Sequence, residues 1–417
     1  MAADAGGTSF TLAQLIAAAQ RDNKELQAAR YAVDIGRARL VDAGLMPNPR
    51  IELSGLSDFA FRNEGAYTAT VGLSQEFPIA GRILRQKDVA RVDVALAQAE
   101  VEDAERRLAG EVAGDVYQLL LLDRQMQARD RLMAADQRLL RTAQARFKAA
   151  EVSELDVNTA SIDLQRLAQE RALLESQHAA LLAKLNPLVG RPAEASLVLD
   201  EPPPPLMASD SPGALQAKAL AARPDLRIAV LEADRAGAEK KLAEAKRWED
   251  WSVGVGLQQD RQFVDGAPSQ PIDRSLGVNL SIPLPLWNRN QGAIAAAQAS
   301  ADQAKARIEA LKLAITGEVV AAQRELAGLL QILTHNEREL LPVAERNVAL
   351  AQKGYGQGLV SLLEVVQAQH QAAELETASL ETLDRYAQAL ARLRTATSDY
   401  PLLSAPAQAT ATDTKEP

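Results

Sequence analysis

Residues 83–148 contain no proline and only two glycines, Gly110 and Gly114. Alanine, leucine, glutamate, arginine and glutamine fill the stretch, all strong helix formers. Apolar residues recur at Leu108, Val112, Val116 and Leu119, the 4-4-3 spacing of a helix with one apolar stripe. At 1.5 Å per residue the stretch makes a rod roughly 100 Å long, whereas an ordinary globular helix has about 11–12 residues. A rod of that length cannot hide its stripe inside one compact domain, so it must lie against other rods.

The rod occurs twice. Residues 290–355 repeat the composition, with Ile308, Leu311, Ile315 and Val319 as the stripe. The flanks repeat as well. Val71-Gly-Leu-Ser-Gln-Glu-Phe-Pro-Ile-Ala-Gly-Arg82 precedes the first rod and Val278-Asn-Leu-Ser-Ile-Pro-Leu-Pro-Leu-Trp-Asn-Arg289 the second. Arg146-Phe-Lys-Ala-Ala-Glu-Val-Ser-Glu-Leu-Asp-Val157 closes the first, and Gly354-Tyr-Gly-Gln-Gly-Leu-Val-Ser-Leu-Leu-Glu-Val365 the second. The offset is about 207–208 residues, half the chain, which marks a tandem duplication. The expected boundaries are a first repeat over 10–207 and a second over 208–400. A flexible start (1–9) and a disordered tail (401–417) flank them.

Each repeat opens with short helices, over 10–20 and 22–43 in the first and 215–221 and 224–247 in the second. Strands follow. Tyr67, Ala69, Val71 and Leu73 alternate with Thr68, Thr70, Gly72 and Ser74. Trp251, Val253, Val255 and Leu257 alternate with Ser252, Gly254, Gly256 and Gln258, and Leu276, Val278, Leu280 and Ile282 with Gly277, Asn279 and Ser281. Ile51 and Leu53 begin a looser strand ending near Phe59 and Phe61. Period two gives one apolar and one polar face. Each repeat therefore carries one hairpin, over about 50–77 and 251–282, with loops near 62–66 and 260–273. The strands approach the 9–11 residues that cross a bilayer. Trp248, Trp251 and Trp287, the only tryptophans, lie beside strand ends, as membrane-interface aromatics do. Four strands cannot close a barrel, and an open edge is not tolerated in lipid. Several chains must share one. Two copies fill the interior; three give twelve strands and leave a lumen.

After each rod the chain returns as a shorter helix, over about 154–186 and 361–397. Between the repeats a linker (187–207) contains Glu201 and four consecutive prolines, a stiff polyproline segment. Pro342 falls inside the second rod and is expected to kink it.

Other chemistry finds little support. A net charge of −9 argues against a general nucleic-acid binder. With no cysteine there is neither a disulfide nor a thiolate metal site. His178, His335 and His370 each stand alone on a helix, without ligand spacing. Gly354-x-Gly-x-Gly358 follows a helix and lacks the lysine of a nucleotide loop. No nucleophile–base pair is legible, so an enzyme is not expected and no cofactor is implied. No apolar run reaches the length of a membrane-spanning helix. The start lacks the charged and apolar regions of a secretory signal, which taken literally points to the cytoplasm; export would require a signal outside this sequence. The competing class is a soluble coiled-coil adaptor, but an adaptor nests one helical hairpin within β-rich domains, whereas two occur here in tandem.

Strand hairpin, long helix, tip turn and returning helix, all duplicated, resemble the TolC-type outer-membrane efflux proteins. The most specific pieces are the two tip motifs, Arg146-Phe147 to Leu155-Asp156-Val157 and Gly354-Tyr355 to Leu363-Glu364-Val365. Gln75-Glu-Phe-Pro-Ile-Ala-Gly-Arg82 is most similar to the cation-efflux (CzcC-like) branch. The resemblance implies a mainly α-helical protein with membrane β-structure. Three chains would form an α-barrel across the periplasm and a twelve-stranded β-barrel in the outer membrane, within outer-membrane lipid. It implies docking to a periplasmic adaptor and an inner-membrane RND pump, with heavy-metal cations as cargo. Drugs or secreted peptides are the alternative cargo. Acidic residues ring the closed aperture in this family. Glu364 matches one such position, Asp156 is its counterpart in the first repeat, and Gln367 stands at the second position. Tyr355 matches a tyrosine that holds the closed state, while the family's following arginine falls at Val360. Phe147, Val152, Ser153, Gly358, Leu359, Val360 and Ser361 lie on the implied adaptor-docking tips. The N-terminal cysteine on which mature members are often lipidated is absent from this sequence.

Overall fold

The computed structural model describes residues 9–61, 65–202, 204–207, 210–262, 266, 268 and 271–401. The expected tail after 401, the expected flexible start through residue 8 and parts of both hairpin loops lie outside the described residues. In chain order the elements begin with β1 (Ser9–Phe10), α1 (Leu12–Asp22), α2 (Lys24–Asp42), β2 (Arg50–Ser57), β3 (Tyr67–Phe77), α3 (Arg82–Lys148) and α4 (Glu154–Leu188). There follow β4 (Val198–Leu199), α5 (Pro212–Ala222), α6 (Pro224–Ala245), β5 (Trp251–Arg261), β6 (Asp273–Ser281), α7 (Gln291–His335), α8 (Leu341–Gly356) and α9 (Leu362–Ala396). A 3₁₀ turn, Phe59–Phe61, follows β2. No described helix is long and apolar enough to cross a membrane.

α3 is one unbroken helix of 67 residues. The second rod is not one unbroken helix. A π-turn at Asn336–Leu340 separates α7 from α8, one residue before Leu341-Pro342. Proline has no N–H to give the carbonyl four residues back, and its ring crowds that carbonyl. Widening the turn before it, with the Leu341 N–H reaching back to the Asn336 carbonyl, makes room for the ring. α4 runs two residues further than expected, with Pro187 inside its last turn.

The chain divides into two compact units. One comprises the described parts of Met1–Ala29, Glu100–Pro224 and Leu311–Pro417. Its main core joins α1 (Leu15, Ile16, Ala19), α3 (Val112, Val116, Leu119), α4 (Leu185) and α9 (Ala387, Ala391). A fully buried leucine there contributes about 1.5–3 kcal/mol. Alanine and glycine let the helices approach closely. A Cβ on Gly110 would stand 2.1 Å from Thr395 Oγ1, and Arg106 Nη1 donates to the Thr395 carbonyl at 3.0 Å. The linker is pinned here: the Tyr386 hydroxyl donates to the Pro205 carbonyl and accepts from Met207 N.

The other unit comprises Arg30–Ala99 and Asp225–Ala310. It holds an antiparallel four-stranded sheet in the order β2-β3-β5-β6, so the two hairpins join through β3 and β5. The register puts Ile51, Leu73, Val255 and Val278 in one cross-strand row and Leu53, Val71, Leu257 and Leu276 in the next. Their face is apolar and exposed. The opposite face carries the row Ser54, Thr70, Gln258 and Ser275, then Glu52, Gly72, Gly256 and Gly277. Arg82 binds Asp250, Arg235 binds Asp93 at 2.5 Å, and Asn290 Nδ2 donates to the Ala243 carbonyl at 2.7 Å.

Candidate functional site

Both rods end alike, and the reason is local. Ala150 and Gly358 stand in the left-handed backbone region, with φ of 59° and 72°. Glu151 N donates to the Arg146 carbonyl and Leu359 N to the Gly354 carbonyl, each at 2.9 Å. This capping pattern satisfies carbonyls that a helix end would otherwise leave open. Glycine takes that conformation freely, but alanine pays a steric cost.

Three residues further on, Ser153 and Ser361 start the return helices with capping boxes. Asp156 Oδ2 accepts from Ser153 N at 3.3 Å. Glu364 Oε2 accepts from Ser361 N at 2.6 Å and from Ser361 Oγ at 2.9 Å, and Ser361 Oγ in turn accepts from Glu364 N. These bonds favour the ionised carboxylate, and the Ser361 N–H first, then its hydroxyl, hold the Glu364 carboxyl below its ordinary value. Both expected aperture carboxylates are thus also helix caps. Glu364 and Gln367 are exposed and Asp156 is half-buried. Position N3 with a serine three residues earlier is the sequence signal for this role, and both tip motifs carry it.

The tips are not equivalent beyond their caps. Tyr355 is only 4% exposed, while its repeat partner Phe147 is 44% exposed. Tyr355 packs with Ala160, Leu362, Val365 and Val366, and with Leu139 and Leu140 of α3. Arg146 completes the contact. Its guanidinium lies 4.9 Å from the centre of the Tyr355 ring and donates from Nη1 to the Tyr355 carbonyl at 2.9 Å, while Nε donates to Glu151 at 3.1 Å. The repeat partner of Arg146 is Gly354, where a Cβ would meet Val360 at 3.1 Å. One repeat has a glycine so that Val360 can pack; the other has an arginine that reaches across to the second tip. The sequence signal for this role of Arg146 is the exchange of arginine for glycine between the repeat positions 146 and 354. Among the remaining tip residues, Ser153, Leu359, Ser361 and Gly358 are exposed, and Val152 and Val360 half-buried.

Trp248, Trp251 and Trp287 are all exposed, and Trp251 pairs across strands with Phe77. The histidines are less isolated than expected. His178 Nε2 lies 3.2 Å from Asp123 Oδ1, His335 Nδ1 3.4 Å from Glu339, and His370 Nε2 3.5 Å from Asp163 Oδ1. Helix pairing, invisible to linear spacing, brings two of these partners from other helices. Among the described residues no group of three or more His, Asp or Glu side chains is placed to hold a metal ion.

The model of the outer membrane efflux protein family matches residues 15–191 and 215–398. A curated relative, the cobalt-zinc-cadmium resistance protein CzcC of Cupriavidus metallidurans, is 25% identical over 366 residues, 86% of this chain and 83% of its own length. Two solved structures share the fold. A membrane protein from Pseudomonas aeruginosa superposes with a TM-score of 0.74 at 20% identity, over 93% of each chain. CusC, from a study of folding and transmembrane channel formation, superposes with a TM-score of 0.75 at 18% identity, over 95% of each chain. The apolar sheet face, the duplicated helical hairpins and a family match across most of the sequence agree: the chain belongs to the outer membrane efflux proteins, the TolC-type channels, CzcC being one of the proteins it is similar to.

Proposed function

We propose that three copies of this chain form one passive conduit in the outer membrane of a Gram-negative bacterium, carrying heavy-metal cations out of the cell. The observation that carries this reading is the four-stranded sheet. Its apolar face is exposed, and β2 and β6 each pair on one side only among the described residues. An exposed apolar patch marks a lipid or protein contact, and an unpaired edge in lipid must be closed by another strand. Joining β6 of one copy to β2 of the next closes twelve strands and leaves a lumen lined by the Ser, Thr, Gly and Gln face. Tyr67 and Phe77 end β3 on its apolar side. Ten steps of about 3.3 Å, tilted by about 40°, separate them by about 25 Å along the membrane normal, the height of an outer-membrane apolar band. Exposed Phe59 beside one end and Trp251 at the other extend the two aromatic girdles.

The helix tips are the proposed contact with a periplasmic adaptor fed by an inner-membrane RND-type pump, with exposed Phe147 and Leu359 as apolar contacts. Glu364 and Gln367 are the proposed aperture ring. Three Glu364 carboxylates in a narrow throat attract cations and repel anions. The name of the CzcC relative supports cobalt, zinc and cadmium as cargo. The test is a deletion strain complemented with the wild-type gene or with E364Q, scored for tolerance to the three metals and to organic toxicants. Metal sensitivity on deletion, rescued by the wild type, is expected. Sensitivity to organic toxicants alone would move the cargo to that class.

A further inference from the structure

About three turns from the tips, α3, α4 and α9 meet around a cluster that the aperture does not use. Asp136 of α3 is 7% exposed, and its Oδ1 has no hydrogen-bond partner in the protein. Asp163 Oδ2, on α4, is likewise buried without a partner. Gln369 and His370 of α9 close the cluster. Gln369 is buried, and His370 Nε2 lies 3.2 Å from Arg166 Nη2 and 3.5 Å from Asp163 Oδ1. Arg166 is also drawn toward Glu170 at 3.6 Å, and Glu170 pairs with Arg129 of α3 at 3.0 Å. Glu374 and Glu381 of α9 line the same cleft of about 340 Å³. The cleft is therefore rich in carboxylates, and its arginines are shared.

A buried carboxylate with an open acceptor and a like charge beside it favours its neutral form. A proton on Asp136 removes the repulsion between it and Asp163. Without it, two carboxylates face each other where both helical hairpins pack.

We propose that Asp136, Asp163, Gln369 and His370 form a proton-operated joint: protonated, it locks α3 and α4 against α9; ionised, it lets the second hairpin swing away from the first. This rests on the aperture reading above, because the joint and the Tyr355–Arg146 contact flank the same apolar cluster. Burial first, and Asp163 second, push the Asp136 carboxyl up to about 6, against smaller opposing effects of His370, Arg166 and Gln369. The sign is fixed by the direction. The folded value exceeds the unfolded 3.8, so the contribution to packing is complete below the unfolded value and is lost as pH rises through about 6. Mild acid favours the locked joint.

The chain has no cysteine, so spin labels at K148C and Q357C, diluted among unlabelled chains, report the distance between the tips without background. In detergent-purified protein the wild type is expected to give a narrow distribution at about pH 5 and a broad, longer one at about pH 7.5, values that bracket the titration. D136N, a permanently neutral isostere, should be narrow at both, and D163N, which removes the like charge beside Asp136, should move the midpoint to lower pH than in the wild type, toward the ordinary carboxyl range. An identical pH course in wild type and D136N overturns the joint. Conductance in planar bilayers, recorded on the same samples, separates the two readings. If the distances follow Asp136 while conductance ignores pH, the joint stands and the aperture assignment falls.

Discussion

At the scale of single residues, the two tips show how one motif is used twice under different constraints. Ala150 holds a backbone conformation that its repeat partner Gly358 adopts without penalty. A150G is therefore expected to stabilise the first tip by about 0.5–1 kcal/mol, the left-handed penalty of alanine less the entropy that glycine loses on ordering. Denaturant titration of the purified protein checks it. S361A removes the hydroxyl that caps α9 and should cost about 1 kcal/mol. Glu364 is tied to Ser361, so its carboxyl is held below its ordinary 4.5. Its folded value is depressed, so the cap contributes above the unfolded value and is lost as pH falls through the folded one. Cation selectivity in bilayers should thus stay flat from neutral pH down to about 5 and be weakened by E364Q at every pH. Selectivity that vanishes well above the ordinary carboxyl range would place the charge elsewhere.

At the scale of elements, close packing of α3 on α9 sets the tolerance to substitution. At Gly110 a Cβ would meet Thr395 at Oγ1, Cγ2 and Cβ, the last at 3.1 Å, so no rotamer of the threonine clears it. G110A should destabilise by about 1–3 kcal/mol as an overpacked helix contact, measured as a lowered melting midpoint. In the sheet, V278D puts a carboxylate on the exposed apolar face near the midplane and should destabilise insertion, by less than the roughly 2–4 kcal/mol that a lysine or arginine costs there. N279D, one residue along on the polar face, should insert normally; heat-modifiable migration of outer-membrane fractions distinguishes them. These elements differ in how far the sequence announces them. Strand faces are legible because alternation at 67–77 and 251–258 is strictly local. The long helices are legible because composition and spacing persist for dozens of residues. The pairing of β3 with β5 is not legible, since nothing near Thr70 records that Gln258 lies opposite. The π-turn escapes for a related reason: Pro342 signals disruption, but where the extra residue is absorbed depends on the whole turn. The Arg146–Tyr355 contact and the Asp136–Asp163–His370 cluster join residues more than two hundred positions apart, and each looks ordinary on its own helix.

At the scale of the whole molecule, one requirement governs the account: four strands with an apolar face and two open edges are complete only in company. Family membership and the CusC-like fold agree with that requirement, and the trimer is the smallest assembly that closes a barrel around a polar lumen. The most direct test is native mass spectrometry of the detergent-extracted protein. A particle with three times the mass of one chain, carrying bound detergent or lipid and lost in V278D, is predicted. A monomer that dissolves without detergent would contradict the account at its foundation.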